Sequence, residues 1–146
     1  MIERQRPVPN VRSPIGPHAS TLASTFASDH AAQANLMELA NLSTGAIDWS
    51  NVPAFVQPGE TGTAETRARN LGDITLRIVT YSRGFKADHW CAKGHIVYVI
   101  SGSLVIEYED KTRTALSEGM SWRAPDDARP PHRVQCEAGA TVFIVD

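Results

Sequence analysis

The sequence has few cysteines, little net charge and no long hydrophobic run. Two cysteines in 146 residues are far too few for a disulfide scaffold. A formal net charge of −2 gives no basic surface of the kind that binds DNA, RNA or an anionic membrane. No apolar stretch approaches the roughly 20 residues that span a bilayer. These absences argue against a nucleic-acid-binding or membrane-spanning protein and favour an ordinary globular domain.

The two cysteines, Cys91 and Cys136, allow at most one bridge between them. Basic residues occur at the start of the chain, but no apolar segment follows them, so a secretory signal is not indicated. We therefore expect a cytoplasmic protein with reduced thiols. The same acid-poor start, which contains Ser, Thr and Arg, leaves a transit peptide as the alternative.

Residues 1–45 differ in composition from the rest of the chain. Prolines and small polar residues are frequent in residues 1–30, and large apolar side chains are few. Such a segment buries too little surface to offset its ordering entropy. Residues 29–42 are the exception, since their apolar spacing predicts a short helix. We predict an N-terminal extension of low order with this short helix, followed by one domain over residues 46–146.

From residue 46 onward the pattern is all β. Short runs of β-branched and aromatic residues are separated by Gly, Asp and Pro, about 8–12 residues apart. This spacing predicts an antiparallel sandwich or barrel. The predicted strands include 74–81, 95–100, 104–109, 112–116, 121–124, 132–136 and 140–146, with a turn at 101–103 between the second and third of these.

Imidazole and thiol groups concentrate in two short segments of this domain. His89, Cys91 and His95 lie in the first, and His132 and Cys136 lie in the second. Side chains alternate along a strand, so the first three would face the same way if the segment is a regular strand. Imidazole and thiolate are good ligands for first-row transition metals. The pattern predicts a metal site that forms only when the barrel is folded.

Each of these residues also has an ordinary interpretation. A single strand histidine is usually a surface or core residue, and a free cysteine is usually a small buried hydrophobe, which is the favoured interpretation of Cys136. Trp90 and Trp122 are rim or core aromatics, or they line a ligand pocket. Lys93 is a solvated loop residue, or it binds an anionic substrate. The candidate pocket residues are therefore Trp90, Lys93, Trp122 and Cys136.

The two segments resemble the two conserved motifs of cupins. In the first, His89-Trp90-Cys91 stands where cupins carry His-x-His, and His95 takes the place of the motif glutamate. Gly84 opens this motif and Gly102 closes it. In the second, Gly119 and Pro125 match, Asp127 replaces a glycine, His132 comes two residues late and Cys136 takes the place of an asparagine. The DHWC segment is also similar to the motif of small Asp-His-Cys-Trp cupins.

This resemblance implies a cupin-type double-stranded β-helix, or jelly-roll barrel. It also implies a metal ligand set of His89, Cys91, His95 and His132 for one divalent transition-metal ion. Because a thiol is present and the usual glutamate is absent, the set is softer than that of most cupins, and Zn, Fe or Ni is expected. Small cupins often pair, so a homodimer is expected.

Two functions follow from the resemblance. One is a metal-dependent protein that acts on or senses a small molecule, with dioxygenase or isomerase activity as the enzymatic possibilities. The other is a non-catalytic zinc cupin with a structural or sensing role. The number of protein ligands separates the two. Three ligands leave a coordination position open for a small molecule, whereas four close a tetrahedral site.

Overall fold

The protein is described by a computed structural model that covers Leu39 and residues 42–146. Apart from Leu39 and Leu42, the helix predicted at 29–42 lies outside the described residues, as does most of the N-terminal extension. The strands of the described part are β1 (Ala54–Pro58), β2 (Thr63–Leu71), β3 (Ile74–Tyr81), β4 (Phe85–Lys86), β5 (His95–Tyr108), β6 (Arg113–Ser117), β7 (Ser121–Ala124), β8 (His132–Cys136) and β9 (Ala140–Val145).

All strand pairs in this part of the chain are antiparallel. One layer has the order β1-β2-β3-β9-β5-β7, and the other has the order β6-β5-β8-β4. Strand β5 belongs to both layers, so the sheet curls around a common interior. This confirms the all-β prediction. Between residues 42 and 146 no helix has the length and apolar character needed to cross a bilayer.

The long strand β5 replaces the predicted turn at 101–103. Its first half pairs with β7 and β9, and its second half pairs with β6 and β8. The register against β9 shifts between Val99 and Ser101, as at a β-bulge. Gly102 has a φ of 78°, and a Cβ built there would lie 2.3 Å from the carbonyl oxygen of Gly139. The Gly-containing segment therefore bends a continuous strand from one layer to the other.

Alternation along the strands fills the interior with apolar side chains. The largest fully buried side chains are Ile106, Val99, Val142 and Cys136. Tyr81 and Phe85 stack with ring centroids 4.7 Å apart at one side of this core. Burying such side chains contributes about 1.5–3 kcal/mol each. The core leaves a cavity of about 180 Å³ inside the barrel.

Candidate metal centre

Residues 87–94 link β4 to β5, and they bend, so the regular strand on which the shared facing of His89, Cys91 and His95 depends is not present. The bend falls at Asp88 and His89. The Nδ1 atom of His89 lies 2.7 Å from a carboxylate oxygen of Asp88, so the two side chains pair locally. Alternation of side chains holds only along an extended strand, and it does not extend across this bend.

Backbone hydrogen bonds join the end of this loop to the start of β8. The amide of Cys91 donates to the carbonyl of His132 at 2.7 Å, and the amide of His132 donates to the carbonyl of Cys91 at 2.9 Å. The amide of Gly94 donates to the Asp126 carboxylate at 2.8 Å. These bonds fix the positions of Cys91 and His132 against each other, although the two residues are distant in the sequence.

Three donor side chains converge on one point at this junction. The ligand atoms of Cys91, His95 and His132 all lie within 4.8 Å of one another. The Nε2 atoms of the two histidines are 2.9 Å apart. His132 is 2% exposed, whereas Cys91 and His95 are half-buried. We call this group the Cys–His–His trio.

The environment of the trio keeps its imidazoles neutral. Burial lowers the pKa of His132 to about 4, with a further contribution from the nearby His95. Burial also lowers the pKa of His95, although the Asp146 carboxylate acts in the opposite direction. A neutral imidazole has the free lone pair that a metal ion requires. At neutral pH neither ring therefore carries a second proton, and the ring that donates in the Nε2–Nε2 contact needs only to move its proton to Nδ1 in order to coordinate through Nε2.

The donor chemistry of the trio fits a first-row transition metal. Two neutral imidazoles and one thiol form a mixed N/S set, which suits Zn, Fe or Ni better than the harder Mg or Mn. Donor atoms bound to one zinc ion sit about 2.0–2.3 Å from it. Atoms that already lie within 4.8 Å of one another can reach such positions through small side-chain movements.

His89 lies outside this trio. Its side chain is 76% exposed and pairs with Asp88, although it is also among the residues that line the barrel cavity. The structure therefore brings together three of the four predicted ligands. The chain bends at Asp88 and His89, so the alternation that would place His89 on the same face as Cys91 does not hold there.

The four predicted pocket residues have different positions. Trp122 lines the cavity and packs against His132, with ring centroids 4.5 Å apart. Its Nε1 atom donates to the Tyr108 hydroxyl at 2.9 Å. Lys93 is exposed, with Nζ 3.5 Å from the Asp146 carboxylate, and it is not among the residues that line the cavity.

Trp90 and Cys136 also lie outside the cavity lining. Trp90 stacks under the guanidinium of Arg133, which is 4.3 Å from the ring centroid. Cys136 is 1% exposed, and its thiol donates to the carbonyl of Ser103 at 3.2 Å. Burial raises the pKa of this thiol, which favours its protonated form. Cys136 is thus a core residue, as its ordinary interpretation predicts.

The cavity opens beside the trio and includes residues that sequence reasoning did not single out. Arg77 and Thr66 line it from β3 and β2, and Arg133 lines it from β8. The alternation of Arg77 with Val79 and Tyr81 along β3 was the available signal. That signal carries no meaning until the inward face of β3 is known, because alternation alone does not say which face is buried.

Comparison with known proteins supports the architecture. No protein-family model matches the chain, and a search of curated proteins found no match. Several solved structures are similar in fold. An RmlC-like cupin from Shewanella frigidimarina is 14% identical with a TM-score of 0.54, covering 72% of this chain and 91% of its own.

Two further structures have comparable likeness. A sugar phosphate isomerase of a cupin superfamily from Silicibacter pomeroyi is 18% identical with a TM-score of 0.56, covering 69% of this chain and 74% of its own. The polyketide cyclase RemF from Streptomyces resistomycificus is 17% identical with a TM-score of 0.57, covering 70% of this chain and 78% of its own. At such identities the likeness concerns the fold, and it confirms that this chain has the fold of the cupins.

Proposed function

We propose that this protein binds one divalent transition-metal ion through Cys91, His95 and His132 and uses it on a small molecule that enters the barrel cavity. The observation that carries the proposal is the convergence of three soft donors beside an internal cavity. A bound ion would act as a Lewis acid toward an oxygen atom of that molecule. The chain's own residues orient the donors and limit the space beside them.

The number of donors favours this proposal over a closed zinc site. A structural zinc site has four protein ligands, and the fourth predicted ligand, His89, is exposed and paired with Asp88. Three ligands leave a coordination position for a small molecule. The cavity lies on the side of the trio where such a molecule would approach, since Cys91, His95 and His132 all line it. Dioxygenase and isomerase activity stay predictions, as does the choice among Zn, Fe and Ni.

The first test is metal loading with Co²⁺ as a spectroscopic probe. The full-length protein is expected to retain about one equivalent after dialysis. A thiolate ligand should give a charge-transfer absorption in the near ultraviolet, and Cys91→Ser should abolish that absorption. Elemental analysis and an absorption spectrum measure the two results. His89→Ala is the control, and it should retain both the one equivalent of Co²⁺ and the charge-transfer absorption.

Two outcomes would contradict the three-ligand proposal. If wild-type protein purified without chelator binds no metal, the trio is not a metal site. If His89→Ala loses the ion as completely as Cys91→Ser does, then His89 is a ligand and the set is the four-membered one expected from the sequence.

The homodimer predicted from the sequence is also retained as a proposal, together with the cytoplasmic location. Light scattering of the full-length protein at high concentration should give twice the monomer mass of 15.9 kDa. A monomer mass that does not change with concentration would refute the dimer.

A further inference from the structure

The wall of the barrel cavity contains guanidinium groups, and the carboxylates that pair with them lie outside the cavity lining. Two arginines, Arg77 and Arg133, are among the described residues that line it, and no aspartate or glutamate is among them. Most of the remaining lining is aliphatic or aromatic. In a space of low dielectric, such a wall favours an anion over a cation.

Arg133 is already neutralised by other side chains. Its Nε atom donates to a Glu107 carboxylate oxygen at 2.8 Å, and its Nη1 atom donates to Glu60 at 3.2 Å. Its guanidinium also lies over the ring of Trp90. Because these contacts occupy its donors and balance its charge, Arg133 has a structural role and is a poor candidate for holding a ligand.

Arg77 is less fully paired. It lies on β3 in alternation with Val79 and Tyr81, and all three residues line the cavity. Its Nη2 atom pairs with the Asp146 carboxylate. Its Nε atom is buried and has no hydrogen-bond partner among the residues that the structure describes, and the same is true of the second oxygen of that carboxylate, Oδ1 of Asp146. Lys93 approaches the same Asp146 carboxylate at 3.5 Å. The Asp146 side-chain carboxylate therefore lies beside two cations, of which Lys93 is exposed to solvent.

A buried donor without an acceptor is costly, and a ligand oxygen would supply the acceptor. Arg77 would donate through Nε, since Asp146 engages its Nη2 atom, and a charge-assisted hydrogen bond to a carboxylate oxygen is stronger than one to a neutral oxygen. The chemistry of Arg77 thus points to a carboxylate group on the ligand.

The volume of the cavity limits the rest of the ligand. At about 180 Å³ it is slightly larger than an engineered cavity of about 150 Å³ that binds benzene. The lining side chains also include Val97, Leu104 and Ile106, which offer only apolar contacts. The apolar body of the ligand is therefore about the size of one six-membered ring.

We propose that the cavity binds a small monocarboxylate, with the carboxylate on Arg77 and a body of about one ring among the aliphatic side chains. This deepens the proposed function, since it names the substrate class of the same site. The ring or chain of such a molecule would lie beside the Cys–His–His trio, because both the trio and Arg77 line one cavity.

The test uses benzoate and its neutral analogue benzamide on the zinc-loaded full-length protein. Calorimetry should show benzoate binding at least about tenfold more tightly than benzamide, as expected for a charge-assisted hydrogen bond. Arg77→Gln should weaken benzoate binding at least about tenfold and leave the zinc stoichiometry unchanged. Arg69→Gln removes an exposed arginine from the adjacent strand β2 and should leave benzoate affinity unchanged.

Because Arg77 pairs with Asp146, Arg77→Gln needs a folding check by circular dichroism. If that variant does not fold, Arg77→Lys keeps the charge beside Asp146 but loses the planar donors, and it too should weaken benzoate binding. Equal affinity for benzoate and benzamide, or no binding of either, would overturn the proposal. So would benzoate affinity that is the same in wild type and the Arg77 variant, since the carboxylate would then be held elsewhere.

The outcomes for the metal and for the carboxylate are separable. If the wild type binds no zinc but binds benzoate in a manner that depends on Arg77, the carboxylate proposal stands and the metal proposal fails. If zinc binds with one equivalent but benzoate binding does not depend on Arg77, the metal proposal stands and the carboxylate proposal fails.

Discussion

Zinc at about 100 times its Kd is expected to raise the free energy of unfolding of the wild-type protein by about 2.7 kcal/mol, and to raise that of His132→Ala by almost nothing. A ligand that binds only the folded state stabilises it by mass action. His132 is 2% exposed and lies 2.9 Å, Nε2 to Nε2, from His95, so its removal takes one donor from the centre of the trio. Urea unfolding with zinc and with chelator measures the difference.

The comparison within each variant removes the effect of lost packing. His132 packs against Trp122, so the substitution should also lower the stability of the metal-free protein. Only the increase in the free energy of unfolding that zinc causes in each variant reports on coordination. His89→Ala is the matched control, because it removes an exposed imidazole from the same region and should retain the full increment. An undiminished increment in His132→Ala would show that this residue is not a ligand.

Replacing Gly102 by Ala is expected to destabilise the protein by about 3 kcal/mol or more, because two separate costs combine there. The backbone of Gly102 has a φ of 78°, which costs an L-residue roughly 1–2 kcal/mol. In addition, the new Cβ would lie 2.3 Å from the Gly139 carbonyl oxygen and 2.9 Å from the Cα of Ala140. Both neighbours are backbone atoms and cannot move aside as a flexible side chain would.

Gly119→Ala measures the first cost alone, so the difference between the two variants gives the second. Gly119 has a φ of 83°, and a Cβ there would meet no atom within 4 Å. It should therefore lose only the roughly 1–2 kcal/mol of backbone strain. Urea unfolding of the two variants in zinc-free buffer gives the comparison. Equal losses at the two positions would show that the close approach of β5 to residues 139–140 does not constrain the bend.

The bend at Gly102 also affects the relative positions of two histidines of the candidate metal centre. His95 begins the first half of β5, whereas His132 pairs with Tyr108 at the end of the second half. The bend at Gly102 sets the angle between these halves. Any Gly102→Ala protein that still folds is therefore expected to bind Co²⁺ more weakly than Gly119→Ala.

Strand positions could be predicted well from local pattern. The strands at Ile74–Tyr81, Ser121–Ala124 and His132–Cys136 have the bounds that alternation and turn residues indicate. The error at residues 101–103 has a physical cause. A Ser-Gly-Ser segment permits both a chain reversal and a strand bend, and the choice depends on long-range pairing with β9 and β6.

The candidate site could be predicted only in part, because local pattern does not give the final path of the chain. Residue type, spacing and the resemblance to cupins indicated a set of four ligands that contains Cys91, His95 and His132, because imidazole and thiol side chains in such a pattern have few other shared uses. The position of His89 could not be predicted from spacing, since parity requires a regular strand and the chain bends beside it. The contribution of Arg77 depends on which face of β3 is inward, and that is a property of the assembled barrel.

The pair of backbone hydrogen bonds between Cys91 and His132 has a consequence for how the protein matures. These residues are distant in the chain, and they meet only once β8 has docked beside β5 and the loop before β5. Forming contacts of this kind costs entropy, because a long segment of chain must be closed into a loop. An ion held by the trio would therefore stabilise a barrel that has already assembled, and it would not start the assembly. Newly made protein is expected to fold first and to bind its metal afterwards.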